Sequence, residues 1–196
     1  MKKIVMLFLL VFSSSVCFAQ DHLTFKGIPI DGKLTEFVSK LQEHGLVLTY
    51  TNDEGYASIL KGTFAGFEDC LIYVLSSKKS HIVWKVSVKF PEQTSWYALK
   101  SRYNDYKTSL TQKYGAPNDD FHFFTKPYYE GDGYEFQALR NDKCSYTAFF
   151  DVTGGLIVIE IESKEYNSGR VAISYEDEIN TQLKKNDQQT SINNDL

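Results

Sequence analysis

Residues 82–114 read IVWKVSVKFPEQTSWYALKSRYNDYKTSLTQKY. The first nine alternate: Ile82, Trp84, Val86 and Val88 are expected on one face, and Lys85, Ser87 and Lys89 on the other. Period two is the strand signal. Pro91 has no N–H for a ladder and stops the strand. Thr94 or Ser95 then offers a side-chain oxygen to cap a helix. Trp96, Leu99, Tyr103, Tyr106, Leu110 and Tyr114 follow at steps of 3, 4, 3, 4 and 4, one stripe of a long helix. A one-sided strand followed by a one-sided helix predicts an α+β protein, because each element buries its apolar face against the other.

The same pattern extends in both directions. Upstream, Leu23–Ile30 reads as a first strand, and Asp31-Gly32 as a turn whose Asp31 caps the next element. Leu34, Phe37, Val38 and Leu41 lie on one face of a helix over 34–44, which Gly45 ends. Strands are predicted at 46–51, 56–64, 70–75 and 82–90. Downstream, Gly115-Ala116-Pro117 ends the second helix, and strands are predicted at 121–125, 134–140, 144–152, 156–163 and 170–175. Thr153-Gly154-Gly155 and Asn167-Ser168-Gly169 read as hairpin turns. Residues 179–196 read as a short helix and a flexible polar tail.

The organisation that results is one domain over 20–178. It contains two helix-plus-antiparallel-meander repeats, about 31–92 and 94–163, with flanking strands 23–30 and 170–175. The helices are expected on one face of a largely antiparallel sheet. The other face is expected to be partly polar, because Lys85, Lys89, Glu160 and Glu162 point there. A unit of this length is marginal alone, so two would share one body.

The N-terminus is a separate signal. Lys2-Lys3 precedes nine apolar residues, Ile4–Phe12, then three serines and Val16-Cys17-Phe18-Ala19. Charged, apolar, then small is the order of a secretory leader, read as 1–19 with cleavage before Gln20. Nine helical residues reach only about 14 Å, half a bilayer core. The expected location is periplasmic or secreted, with no transmembrane segment after cleavage. Composition agrees, since 42% apolar, 15% aromatic and a net charge of −4 exclude disorder and polytopic membrane classes. Losing Lys2 and Lys3 takes the net charge from −4 to −6, which argues against nucleic acid and anionic lipid as partners.

Two cysteines follow the leader, Cys70 and Cys144. An exported chain permits a disulfide between them, closing about 75 residues and worth about 4 kcal/mol on chain-entropy grounds. Two buried free thiols are the alternative. Neither cysteine has metal-ligand spacing, and the four histidines, His22, His44, His81 and His122, share none. No cofactor, metal site or catalytic residue is therefore predicted. Gly131-Asp132-Gly133 lacks the third glycine of a dinucleotide loop. Glu160 and Glu162 share one strand face and are the strongest acid/base pair available.

Seven aromatics fall within sixteen residues, Phe121, Phe123, Phe124, Tyr128, Tyr129, Tyr134 and Phe136. Alternate members would fill the core. Tyr128, Tyr129 and Tyr134 are the candidate contact patch on a loop, suited to a protein partner or a glycan.

Three short stretches resemble small secreted proteins of gut Bacteroides: Leu23–Gly32, Tyr106 with Lys113–Pro117, and Val152–Gly155. The helix-plus-meander repeat of those proteins is similar to the β-lactamase-inhibitor-protein (BLIP-like) fold. The resemblance implies that architecture and a binding role, and it carries over no catalytic residue. The expected function is an exported, non-catalytic binding or interaction module of the bacterial cell envelope. The alternatives are an enzyme with a carboxylate-based site and an envelope assembly factor. The first alternative would show close carboxylates with raised pKa values, and the second an open sheet edge or an exposed apolar patch.

Overall fold

A computed structural model describes residues 21–195, so the leader and the cleavage before Gln20 lie outside the described residues. The chain opens with β1 (Thr24–Phe25) and β2 (Ile28–Pro29), then α1 (Leu34–Glu43). A meander follows: β3 (Val47–Thr51), β4 (Ala57–Phe64), β5 (Phe67–Ser76) and β6 (Val83–Lys89). Next come α2 (Trp96–Tyr114), β7 (Asp119–Phe124), α3 (Glu135–Arg140), β8 (Cys144–Val152), β9 (Gly155–Glu165), β10 (Ser168–Asp177) and α4 (Glu178–Asp195). The protein is α+β, and β3 to β10 form one eight-stranded antiparallel sheet in the order β3-β4-β5-β6-β10-β9-β8-β7.

The core lies between one sheet face and helices α1 and α2. Leu60, Ile72, Val74, Val86, Val88, Ala148, Ile157 and Ile159 are fully buried there, facing Phe37, Leu41 and Leu99 from the helices. Ser95 Oγ caps α2 by accepting from the Ala98 N–H. The β1–β2 hairpin joins the core through Phe25. Phe25 stacks on Phe64 at 5.4 Å and meets the Tyr175 edge at 5.3 Å.

Tyr103 is buried on the inner side of α2, and among the described residues its hydroxyl has no hydrogen-bond partner. Burial holds its pKa well above the usual phenol range. An unpaired buried hydroxyl costs its desolvation. Tyr103→Phe is therefore expected to raise stability by about 0.5–1 kcal/mol, read as a higher urea midpoint at unchanged slope.

Five sequence expectations change. First, 23–30 is a hairpin rather than one strand. Lys26 and Gly27 take φ of 51° and 79°, the left-handed pair of a two-residue turn. Second, Asp31 does not cap α1; Lys33 is the N-cap residue and its side chain makes no capping bond, and Asp31 accepts from Asn180 Nδ2 instead. Third, 134–140 is the helix α3 and not a strand. Glu135, Ala138 and Leu139 are its buried residues, spaced for one helical face. Asp132 starts the turn by accepting from the Tyr134 N–H at 2.8 Å. Fourth, 170–175 is no flanking strand; β10 runs through the sheet centre between β6 and β9. Fifth, the C-terminal polar stretch continues as α4 to Asp195, tied down where Asp187 accepts from Ser77 Oγ at 2.7 Å.

Candidate functional site

Among the described residues, the face of the sheet opposite α1 and α2 has no helical layer over most of its width. The strand registers define its rows. One runs Phe121, Thr147, Glu160, Ala172, Lys89, Leu71, Lys61, Val47 from β7 to β3. The next runs Asp119, Phe149, Val158, Ser174, Ser87, Tyr73, Ile59, Tyr50. A third, closer to the other end, runs Asp151, Leu156, Glu176, Lys85, Leu75, Ala57. Helix α4 crosses only this last end. Ile179 and Leu183 line a groove with Val152 and Leu156. On the helix's other side a groove of about 620 Å3 is lined by Tyr56, Leu75, Trp84, Lys184 and Ile192.

The open face has two textures. Its middle is floored by Ala172, Ser174 and Ser87, with Ser174 Oγ donating to Ser87 Oγ at 3.0 Å. Charged side chains bridge strands above them. Lys85 meets Glu176 at 2.7 Å, and Glu162 is gripped by Lys89 at 2.9 Å and Arg170 at 3.2 Å. Lys89 also lies over the Tyr73 ring. The flanks are apolar. Phe121, Phe123, Phe149, Val158 and Leu156 lie toward β7, and Leu71, Tyr73, Ile59, Tyr50 and Val47 toward β3. None of these ten is buried, and Val47, Tyr50, Phe121 and Phe123 are exposed. A solvated sheet face normally carries polar side chains, and these apolar flanks depart from that pattern.

Glu160 stands out within the charged strip. Among the described residues its side chain has no ion pair or hydrogen bond, while that of its neighbour Glu162 has three bonds to two cations. Burial, then the Glu162 charge, raise the Glu160 pKa against the pull of Lys85 and Lys89. The folded chain therefore binds a proton at Glu160 more readily than the unfolded chain, and this site costs stability as pH rises through the raised pKa. Glu160→Gln is expected to unfold at higher urea than wild type at pH 7. The gap is expected to close toward pH 4, where the unfolded glutamate is protonated as well.

The predicted contact patch divides. Tyr129 and Tyr134 are exposed at 65% and 61% on the loop between β7 and α3. Tyr128 is half-buried, packs against the core and accepts from Asn141 Nδ2 at 3.2 Å. The loop is fixed at Glu130, which pairs with Lys100 of α2. Of the remaining aromatics, Phe124 and Phe136 pack on Trp96 at 6.0 and 5.7 Å. Phe121 and Phe123 project onto the open face instead. The parity of 121–125 carried that signal, since Phe124 alternates with Phe121 and Phe123.

Cys70 and Cys144 are both free and buried, so they form no disulfide. The sheet order gives the reason. Cys70 is on β5 and Cys144 on β8, with β6, β10 and β9 between them. Four strand spacings are about 19 Å, and a disulfide needs Cα atoms within roughly 7 Å. Burial pushes the Cys144 thiol up to about 12 and also raises Cys70. Among the described residues no group of three His, Cys, Asp or Glu converges to hold a metal ion. No helix among them is long and apolar enough to cross a membrane. Compared with known proteins, the chain matches no family model, no curated protein and no solved structure.

Proposed function

We propose that the protein is an exported, non-catalytic binding module of the cell envelope that engages a protein partner through its open sheet face. The observation that carries this reading is the set of ten unburied apolar side chains flanking a charged strip on one uncovered sheet face. Interfaces combine an apolar anchor area with polar groups that fix register. Here Phe121, Phe149, Val158 and Tyr73 supply the first, and Lys89, Glu162 and Arg170 the second. Tyr129 and Tyr134 add aromatic contacts beside β7. Export rests on the leader read at 1–19. The two-repeat, BLIP-like reading is supported in part by chain order: α1 precedes the meander β3–β6 and α2 precedes β7–β10, although the second unit carries α3 at 134–140 and takes β10, read as a flanking strand, as its fourth strand.

The test is capture from envelope extract by wild-type protein and two variants. Phe149→Ser with Val158→Ser is expected to abolish recovery of the partner at unchanged circular dichroism. Tyr129→Ala with Tyr134→Ala is expected to weaken recovery. Equal recovery by wild type and the Phe149/Val158 variant would remove the open face as the binding surface.

A carboxylate-based enzyme is the second reading, favoured by one observation. Glu160 and Glu162 share a strand face, and burial followed by the Glu162 charge raises the Glu160 pKa, as a general acid requires. Glu160→Gln would then abolish turnover of a hydrolase substrate while leaving partner capture intact.

A further inference from the structure

The sheet has two outer strands, β3 and β7, and they differ as edges. β3 is broken by a bulge. Leu48 pairs with Leu60 but Tyr50 with Ile59, so Thr49 is unpaired, and its hydroxyl donates to the Ile59 carbonyl at 2.8 Å. A bulge twists an edge and prevents a regular ladder with a newcomer. β7 has no such guard. Asp119 to Phe124 pair with Phe149 to Cys144 in unbroken register, and no Lys, Pro or bulge interrupts them. Residues 119–123 are all exposed.

The direction of the free backbone groups follows from the ladder. The Thr125 N–H donates to the Lys143 carbonyl at 2.7 Å, one position beyond the strand in the same register. Alternation then turns the N–H and C=O groups of Phe121 and Phe123 toward β8, and those of Asp120, His122 and Phe124 outward.

We propose that β7 is a homodimerisation edge. A second copy of this chain adds its own β7 antiparallel about a twofold axis through His122, and the two sheets become one of sixteen strands. The chemistry of the edge selects this occupant. Outward groups must face outward groups, so His122 lies opposite its twin and Asp120 opposite Phe124, giving roughly six backbone bonds. The non-bonded positions then put Phe121 opposite Phe123 twice, on the open face, at the close cross-strand spacing where aromatic pairs attract. Charge agrees, because antiparallel pairing sets Asp119 of one β7 beside the Thr125-Lys126 end of the other, Asp120 being paired already with Lys107 of α2. Parallel addition would stack the aspartates. A twofold contact also closes on itself, whereas β7 docking on β3 would propagate an open ribbon. The proposal rests on the backbone edge of β7; of the open-face residues it uses only Phe121 and Phe123.

The test is sedimentation of the purified protein from low to high micromolar concentration, with three variants. Wild type is expected to pass from monomer to dimer and no further. His122→Pro removes an outward N–H and no ladder bond, so the fold should persist by circular dichroism while self-association weakens roughly tenfold or more. Phe121→Lys, which leaves the backbone alone, is expected to do the same. His122→Cys places two thiols across the axis within disulfide reach, and mild oxidation should give a covalent dimer. Thr49→Cys on the β3 edge should not. Monomer at every concentration overturns the proposal, whether or not an extended peptide binds β7. So does a dimer that neither His122→Pro nor Phe121→Lys weakens, or oxidative cross-linking through Thr49→Cys instead.

Discussion

Asp177→Ala is expected to lose about 3 kcal/mol or more of unfolding free energy, among the largest single-residue effects in the molecule. Asp177 ends β10 and is completely buried. Its Oδ2 accepts from the Leu23 N–H at 2.9 Å and bonds His22 Nδ1 at 3.0 Å. Its Oδ1 accepts from the Asn180 N–H at 2.9 Å, which caps the first turn of α4. Asn180 Nδ2 in turn donates to the Ile30 carbonyl and to Asp31, both at 3.0 Å. One carboxylate thus ties the N-terminal hairpin, the end of the central strand and the helix crossing the open face. Alanine leaves buried donors unpaired, and each costs its desolvation. Asp177→Asn keeps one acceptor oxygen and should lose roughly half as much. Urea unfolding of the three proteins checks this, and proteolysis at the N-terminal segment should accelerate in the alanine variant first.

Ile159→Ala is expected to cost about 3–4 kcal/mol, while Val158→Ala next to it costs about 1 kcal/mol or less. The two residues are adjacent on β9 but face opposite ways. Ile159 is fully buried between Ala148 and Ile173 under α2, where truncation leaves a cavity. Val158 is half-buried on the open face, between Phe149 and Ser174. The binding ranks should invert: Val158→Ala weakens partner capture, and Ile159→Ala affects it only through the amount of folded protein. Chemical unfolding and capture measured on the same two samples check the inversion.

The helices and most strands were legible because their periods are long and clean. The stripe from Trp96 to Tyr114 becomes α2, and Leu34, Phe37, Val38 and Leu41 are the buried residues of α1. The polar character of the second sheet face was legible too, from Lys85, Lys89, Glu160 and Glu162. Where the reading failed, a local irregularity or a long-range fact decided. Trp84 was expected inside, but the register shifts where Leu75 pairs with Lys85 and Ser76 with Val83. That bulge sends Val83 into the core and leaves Trp84 half-exposed under Lys184 of α4. Residues 134–140 are too short for period to separate strand from helix, and the turn at Asp132 settled it.

No local pattern fixes strand order. The central position of β10 and the distance between Cys70 and Cys144 are both products of order. The open face was half legible for a related reason. Its charges were visible, but Phe149, Val158, Leu71 and Tyr73 look like core residues until the helices are known to occupy the other side.

The central claim is that the open face is the binding surface. Its most direct test is photo-cross-linking in envelope extract, with a photoreactive phenylalanine analogue at Phe149, Tyr73 or Val158 and, as controls, at Tyr97 or Lys40 on the helical side. The account predicts one adduct of a single mass from the three sheet positions and none from the helical pair. Adducts from Tyr97 or Lys40 alone, with the sheet positions silent, would contradict it.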